Sequence, residues 1–143
     1  MTVIKLACTL ATALAVASPA IAVAQVRAKA EIACQPTALA LQYDCTIALA
    51  DSRTNQPLQG VILTVGADMP SMPMMHTVRP VAAAPGAAAG TYQARLVLEM
   101  HGDWMLQLNL SAPLRDRILT PFRFEPGRAT RAAQPAPPPG HKH

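Results

Sequence analysis

Tyr92-Gln93-Ala94-Arg95-Leu96-Val97-Leu98-Glu99-Met100-His101-Gly102-Asp103-Trp104-Met105-Leu106-Gln107-Leu108-Asn109-Leu110 is the stretch that decides the fold. Apolar side chains recur there at every second position: Tyr92, Ala94, Leu96, Leu98 and Met100, then Trp104, Leu106, Leu108 and Leu110. Successive side chains of a strand point to opposite faces, so each run reads as a strand with one face in a core. The break between them sets an expected pairing. A two-residue Gly102-Asp103 turn would oppose Glu99 to Leu106. Opposing Met100 to Trp104 instead aligns Leu98 with Leu106 and Leu96 with Leu108, which keeps one face apolar. The expectation is a hairpin with a three-residue loop and His101 at its tip. Met105 then falls on the polar face opposite Glu99, and Met100 meets Trp104 at the edge of the core.

The same period runs through the rest of the chain. Residues 26–34 read as a first short strand, weakened by Ala28, Ala30 and Ala33. Leu39, Leu41, Tyr43, Cys45, Ile47 and Leu49 alternate as a second, and the polar residues 51–57 form a turn. Val61, Leu63 and Val65 give a third strand that ends at Gly66, and residues 77–81 a brief fourth. The Ala/Gly/Pro-rich residues 82–90 are a connection, as are residues 113–117. Ile118, Thr120, Phe122 and Phe124 make the last strand before Pro126-Gly127. With no amphipathic helix, the expected fold is all-β: a small antiparallel immunoglobulin-like sandwich of about seven strands over residues 25–127. The Ala/Pro-rich residues 128–143 read as a disordered or extended tail.

Residues 1–24 read as an export signal. Lys5 precedes an uncharged Ala/Leu/Val run, and Ala22-Val23-Ala24 offers a cleavage site, with Ala20-Ile21-Ala22 as a second. The alternative is an uncleaved anchor, since the run approaches the roughly 20 residues that a span needs. Export points to the periplasm. Cys8, with no apolar run before it, does not read as a lipoprotein cysteine. Once it is removed, Cys34 and Cys45 remain, and an even pair in an exported chain reads as a disulfide. The rival is a thiolate metal site.

Between the third and fourth strands lies Asp68-Met69-Pro70-Ser71-Met72-Pro73-Met74-Met75-His76. Its prolines forbid a regular helix and fit a central strand poorly. Methionines that fill cores usually stand singly and at strand or helix period; these do not. Thioether sulfur with imidazole nitrogen is the ligand set that selects Cu(I). Met72, Met74 and His76 share a side if the segment is extended, leaving Met69 and Met75 as alternates or packing residues. The competing reading is a loop folded inward to plug one end of the sandwich. His101 would complete a site if its loop lies alongside, and is otherwise a solvated turn residue. Met100 either packs on Trp104 through a sulfur–aromatic contact or joins the site, with the indole shielding the ion. Met105 is a weaker candidate. His141 and His143 form a His-Lys-His ending that is a weak Cu(II) or Ni(II) binder or simply tail.

Several function classes lack a signature. The net charge of +4 drops by one with Lys5, the arginines are scattered, and few aromatic residues are present to stack on bases, so nucleic-acid binding has no footprint. Beyond the signal no segment is long and apolar enough to span a bilayer. The carboxylates do not cluster and no Ser/His/Asp or phosphate-loop pattern occurs, so nothing points to an enzyme.

The segments Gly66-Ala67-Asp68-Met69-Pro70-Ser71-Met72-Pro73-Met74-Met75-His76, Gly90-Thr91-Tyr92 and Leu98-Glu99-Met100-His101-Gly102-Asp103-Trp104 resemble those of the YtkA-like/FixH-like domains. These are small exported or membrane-anchored β-sandwich modules with an MPxMxMxH-type loop, a GxY strand start and an MxGxW-type hairpin. The resemblance covers roughly residues 43–110. It implies copper handling, as a periplasmic binding domain near an efflux system or a helper in delivery to respiratory oxidases. A copper efflux or oxidase-assembly protein would then be the partner. It carries a metal role onto Met72, Met74 and His76, then onto Met69, Met75, Met100 and His101. The cleavable-looking signal, the cysteine pair and the Pro-rich tail depart from the membrane-bound FixH pattern and favour a free periplasmic protein. The alternative is an interaction module, accessory to a transporter or assembly complex, whose methionines form an adaptable contact surface.

Overall fold

Alternation of large apolar and small or polar residues recurs along most of the chain, and the computed structural model turns it into two packed sheets. It describes residues 25–133; residues 1–24, on which the export-signal reading falls, with Cys8, His141 and His143, lie outside the described residues. Nine strands follow in order: β1 (Ala28–Pro36), β2 (Gln42–Asp51), β3 (Ile62–Asp68), β4 (Thr77–Ala82), β5 (Ala84–Pro85), β6 (Thr91–Val97), β7 (Gly102–Ala112), β8 (Asp116–Glu125) and β9 (Arg128–Arg131). One sheet has the order β1-β2-β6-β5 and the other β4-β3-β7-β8-β9, all pairs antiparallel.

The core forms where the inward faces meet. Tyr43, Ile47 and Leu49 of β2 and Leu96 of β6 lie across from Leu63 and Val65 of β3, Trp104, Leu106 and Leu108 of β7, and Phe122 and Phe124 of β8, all buried. Tyr43 sets its ring edge-on to Phe124, with centroids 4.7 Å apart, and donates its hydroxyl to the Glu125 carbonyl at 2.9 Å. Buried aromatic rings of this kind need a partner for the polar tip. Tyr92 solves the same problem by donating to the Leu58 carbonyl at 2.8 Å and accepting from Val61 N–H at 3.0 Å.

Cys34 and Cys45 stand directly opposite each other on β1 and β2 and are joined by a disulfide. Both sulfurs are therefore committed, and the thiolate metal site is excluded.

The expected hairpin between residues 92–100 and 104–110 does not form. β6 pairs with β2, placing Leu96 opposite Tyr43, and β7 pairs with β3 and β8, placing Trp104 opposite Phe122. Residues 98–101 cross from one sheet to the other. The two runs face each other across the core instead of lying side by side, and both arrangements demand the same apolar alternation. Met105 accordingly stands opposite Pro121 and Asp68, not Glu99.

Other boundaries shift for local reasons. The second strand begins at Gln42 because Leu41 takes a positive φ of 60° and Leu39 turns out to solvent. The third continues through Gly66 to Asp68, with a bulge against β4 between Val65 and Ala67. Gly66 suits that position: a Cβ there would lie 3.3 Å from the Val78 carbonyl oxygen. The strand count rises from about seven to nine because Ala84–Pro85 pairs within the Ala/Gly/Pro connection and Arg128–Arg131 pairs with β8 at the start of the expected tail.

The connections 37–41, 69–76, 98–101 and 126–127 gather at one end of the sandwich. His101 lines one recess with residues of the first and last of these, and a second recess with residues of the methionine segment.

Candidate metal centre

Residues 69–76 are coiled into turns. Met72 N–H donates to the Met69 carbonyl at 3.0 Å, Met75 N–H to the Met72 carbonyl at 3.2 Å, and Met69 N–H closes the segment on the His76 carbonyl at 3.2 Å. Pro70 and Pro73 carry no N–H to compete with these bonds. Met74 sits at a positive φ of 67°. The extended segment that would have set Met72, Met74 and His76 on one side is thus absent.

The turns sort the methionines by depth. Met69 continues the inward row of Leu63, Val65 and Ala67 and is 3% exposed, while Met72 packs against the core from above. These two fill the end of the sandwich. Met74 and Met75 lie at 94% and 75% exposure. His76 is half-buried, and its Nδ1 lies in hydrogen-bond contact with Glu99 Oε2 at 2.5 Å.

The second segment is the crossing from β6 to β7. Leu98 is buried, and its N–H donates to the Leu41 carbonyl at 2.9 Å. Trp104 Nε1 donates to the Met100 carbonyl at 3.2 Å, so the buried indole satisfies its N–H by holding this crossing in place. Gly102 follows at φ 141°, a conformation that favours glycine. A Cβ there would meet the terminal methyl of Met69 at 3.2 Å, so Met69 reaches the start of β7, where the crossing ends.

Between the two segments lies a recess of about 670 Å³. Met69, Met72, Met100 and Met105 line it together with His101 and Trp104. Its rim includes the ion pair between Arg123 and Asp103, at 3.1 Å, and Ala132 and Ala133. The structure therefore brings Met69, Met72, Met100 and His101 to one place. It leaves Met74, Met75 and His76 on the adjoining turn, outside the lining.

Among the described residues no three His, Cys, Asp or Glu side chains gather into a metal-binding group. An ion at this end would have to be held largely by thioether sulfur, and four methionines with one imidazole are suited to a soft monovalent ion and poorly suited to Zn²⁺, Mg²⁺ or Ca²⁺. Glu99 had no signal in the sequence as a site residue, because a hairpin would have placed it opposite Met105.

Among the described residues no helix is long and apolar enough to cross a membrane. No curated protein and no solved structure matches the chain. A family model described as YtkA-like matches residues 25–109, from the start of the described chain through most of β7, including both segments that line the recess; the protein belongs to the YtkA-like family.

Proposed function

We propose that this protein is an exported, periplasmic copper-binding protein that holds Cu(I) for trafficking or resistance. One observation carries the reading: Met72 and Met69 from one segment, and Met100 and His101 from another, line a single recess. Thioethers bind without a proton change and favour Cu(I), and two to four such ligands suffice. Met72, Met100 and His101, which line the recess, are the proposed donors. Met69 is the wall behind them. Copper is cargo here, and no catalytic step is assigned.

The test is an anaerobic Cu(I) titration against a chromophoric chelator. The expected result is one equivalent bound, with binding lost when Met72, Met100 and His101 are changed to Ala together. Changing Met74 and Met75 to Ala should leave it in place. Failure of the unmodified protein to compete would end the copper reading.

The exposure of Met74 and Met75 favours a second reading, an interaction module accessory to a transporter or oxidase-assembly complex. In that case the Met74/Met75 variant would lose its partner while copper uptake stayed nil throughout.

A further inference from the structure

Every methionine of the described residues stands at one end of the sandwich. Met69, Met72, Met100 and Met105 line the recess, and Met74 and Met75 stand on the turn beside it. We propose that Met74 and Met75 are an oxidation site: they take oxygen from hydrogen peroxide ahead of the recess thioethers and so spare them. The order of oxidation goes beyond the copper reading and does not depend on it; only the sparing of metal binding rests on that reading.

In the step, a thioether sulfur attacks one peroxide oxygen. The S–O bond forms as the O–O bond breaks, sulfur gives up two electrons, and the second oxygen leaves as water with the transferred proton. The product is methionine sulfoxide, a polar side chain in place of an apolar one. Peroxide must reach the sulfur for this to happen, and access differs sharply along the segment. Met74 and Met75 are 94% and 75% exposed, Met100 is 37% exposed, Met72 and Met105 are half-buried, and Met69 is 3% exposed. When peroxide is limiting, the thioethers divide it according to access, so the two outer ones lower the share that reaches the recess.

The two places tolerate a sulfoxide differently. In the recess lining it would set a polar S=O group against Trp104 and Phe122, where burial without a partner is unfavourable. It would also replace a soft sulfur donor by a hard oxygen. On Met74 or Met75 the new oxygen faces water. The bonds that hold the turn run between backbone groups, from Met72 to Met69, Met75 to Met72 and Met69 to His76, and none uses a thioether. Oxidation there leaves the turn and the recess intact.

The test treats the metal-free protein with limiting hydrogen peroxide, locates each sulfoxide by fragment-ion mass spectrometry, and then titrates with Ag(I) as a soft probe. In the native protein the first sulfoxides are expected on Met74 and Met75, with silver affinity unchanged. In a Met74→Leu/Met75→Leu variant the same dose is expected to fall on Met100, Met72 or Met105, with loss of silver binding. Oxidation of Met100 or Met72 as early as Met74 and Met75 in the native protein overturns the proposal. So does a variant whose recess methionines are no more oxidised than the native ones at the same dose. No silver binding before any oxidation overturns the copper reading alone, and the sulfoxide map still decides the oxidation site.

Discussion

Met69 and Met74 stand five residues apart in the same set of turns, and the fold uses them oppositely. Met69 seals the end of the core beside Gly102; Met74 is almost wholly in solvent. Met69→Ala is expected to cost about 2–5 kcal/mol, the usual range for emptying a buried methionine site. Met74→Ala should stay within about 0.5 kcal/mol; urea denaturation of both variants checks the pair. Thr120 gives the reverse case. Its buried hydroxyl has no partner among the described residues, and Thr120→Val is expected to stabilise by about 1 kcal/mol by removing that unmet group. Part of this was legible in the sequence. Leu63, Val65, Ala67 and Met69 keep one period, which marks Met69 as inward once the strand is carried past Gly66. The outward positions of Met74 and Met75 were not legible, because they follow from turn hydrogen bonds and a positive φ that alternation does not encode.

The element that governs the site is the crossing between β6 and β7. Alternation located both strands well, yet residues facing across a core and residues paired within a sheet obey the same pattern. Only the pairing partners separate the two arrangements: Tyr43 for Leu96, and Phe122 for Trp104. That one misreading hid Glu99, which a crossing brings to His76 and a hairpin would not. The cysteine pair was readable from its count, and its place at opposed positions of β1 and β2 explains how two neighbouring strands at the sheet edge are locked. Closing so short a loop contributes roughly 3 kcal/mol in the chain-entropy account. Changing both cysteines to Ala is expected to lower stability in guanidinium by about that amount, with the strand content by circular dichroism unchanged. A loss near zero would contradict a structural role for the bond.

At the scale of the whole molecule, carboxylates tie neighbouring strands and turns together. The hydrogen bond from Arg95 holds Asp44 below the usual carboxylate range, the N–H of Arg53 does the same for Asp51, and Arg128 for Glu125. Groups whose folded values are depressed bind protons less readily when folded than when unfolded, so their contribution is complete above the ordinary values of 3.8 and 4.5 and is lost as pH falls through the lower folded ones. The thermal midpoint is therefore expected to hold level down to about pH 5 and to fall below about pH 4, and Asp44→Asn should flatten part of that fall. A midpoint that rose on acidification would contradict the assignment. At this scale the sequence disclosed a sandwich with a methionine-bearing end. It did not disclose which methionines meet, because that depends on two segments nearly thirty residues apart closing over Trp104. The central claim is that these segments form one soft-metal site. X-ray absorption at the copper edge, on protein loaded with Cu(I) and desalted, tests it most directly. The account predicts sulfur and imidazole-nitrogen scatterers together, with sulfur diminished in a Met72→Ala/Met100→Ala variant; copper lost on desalting, or held by nitrogen and oxygen alone, would contradict it.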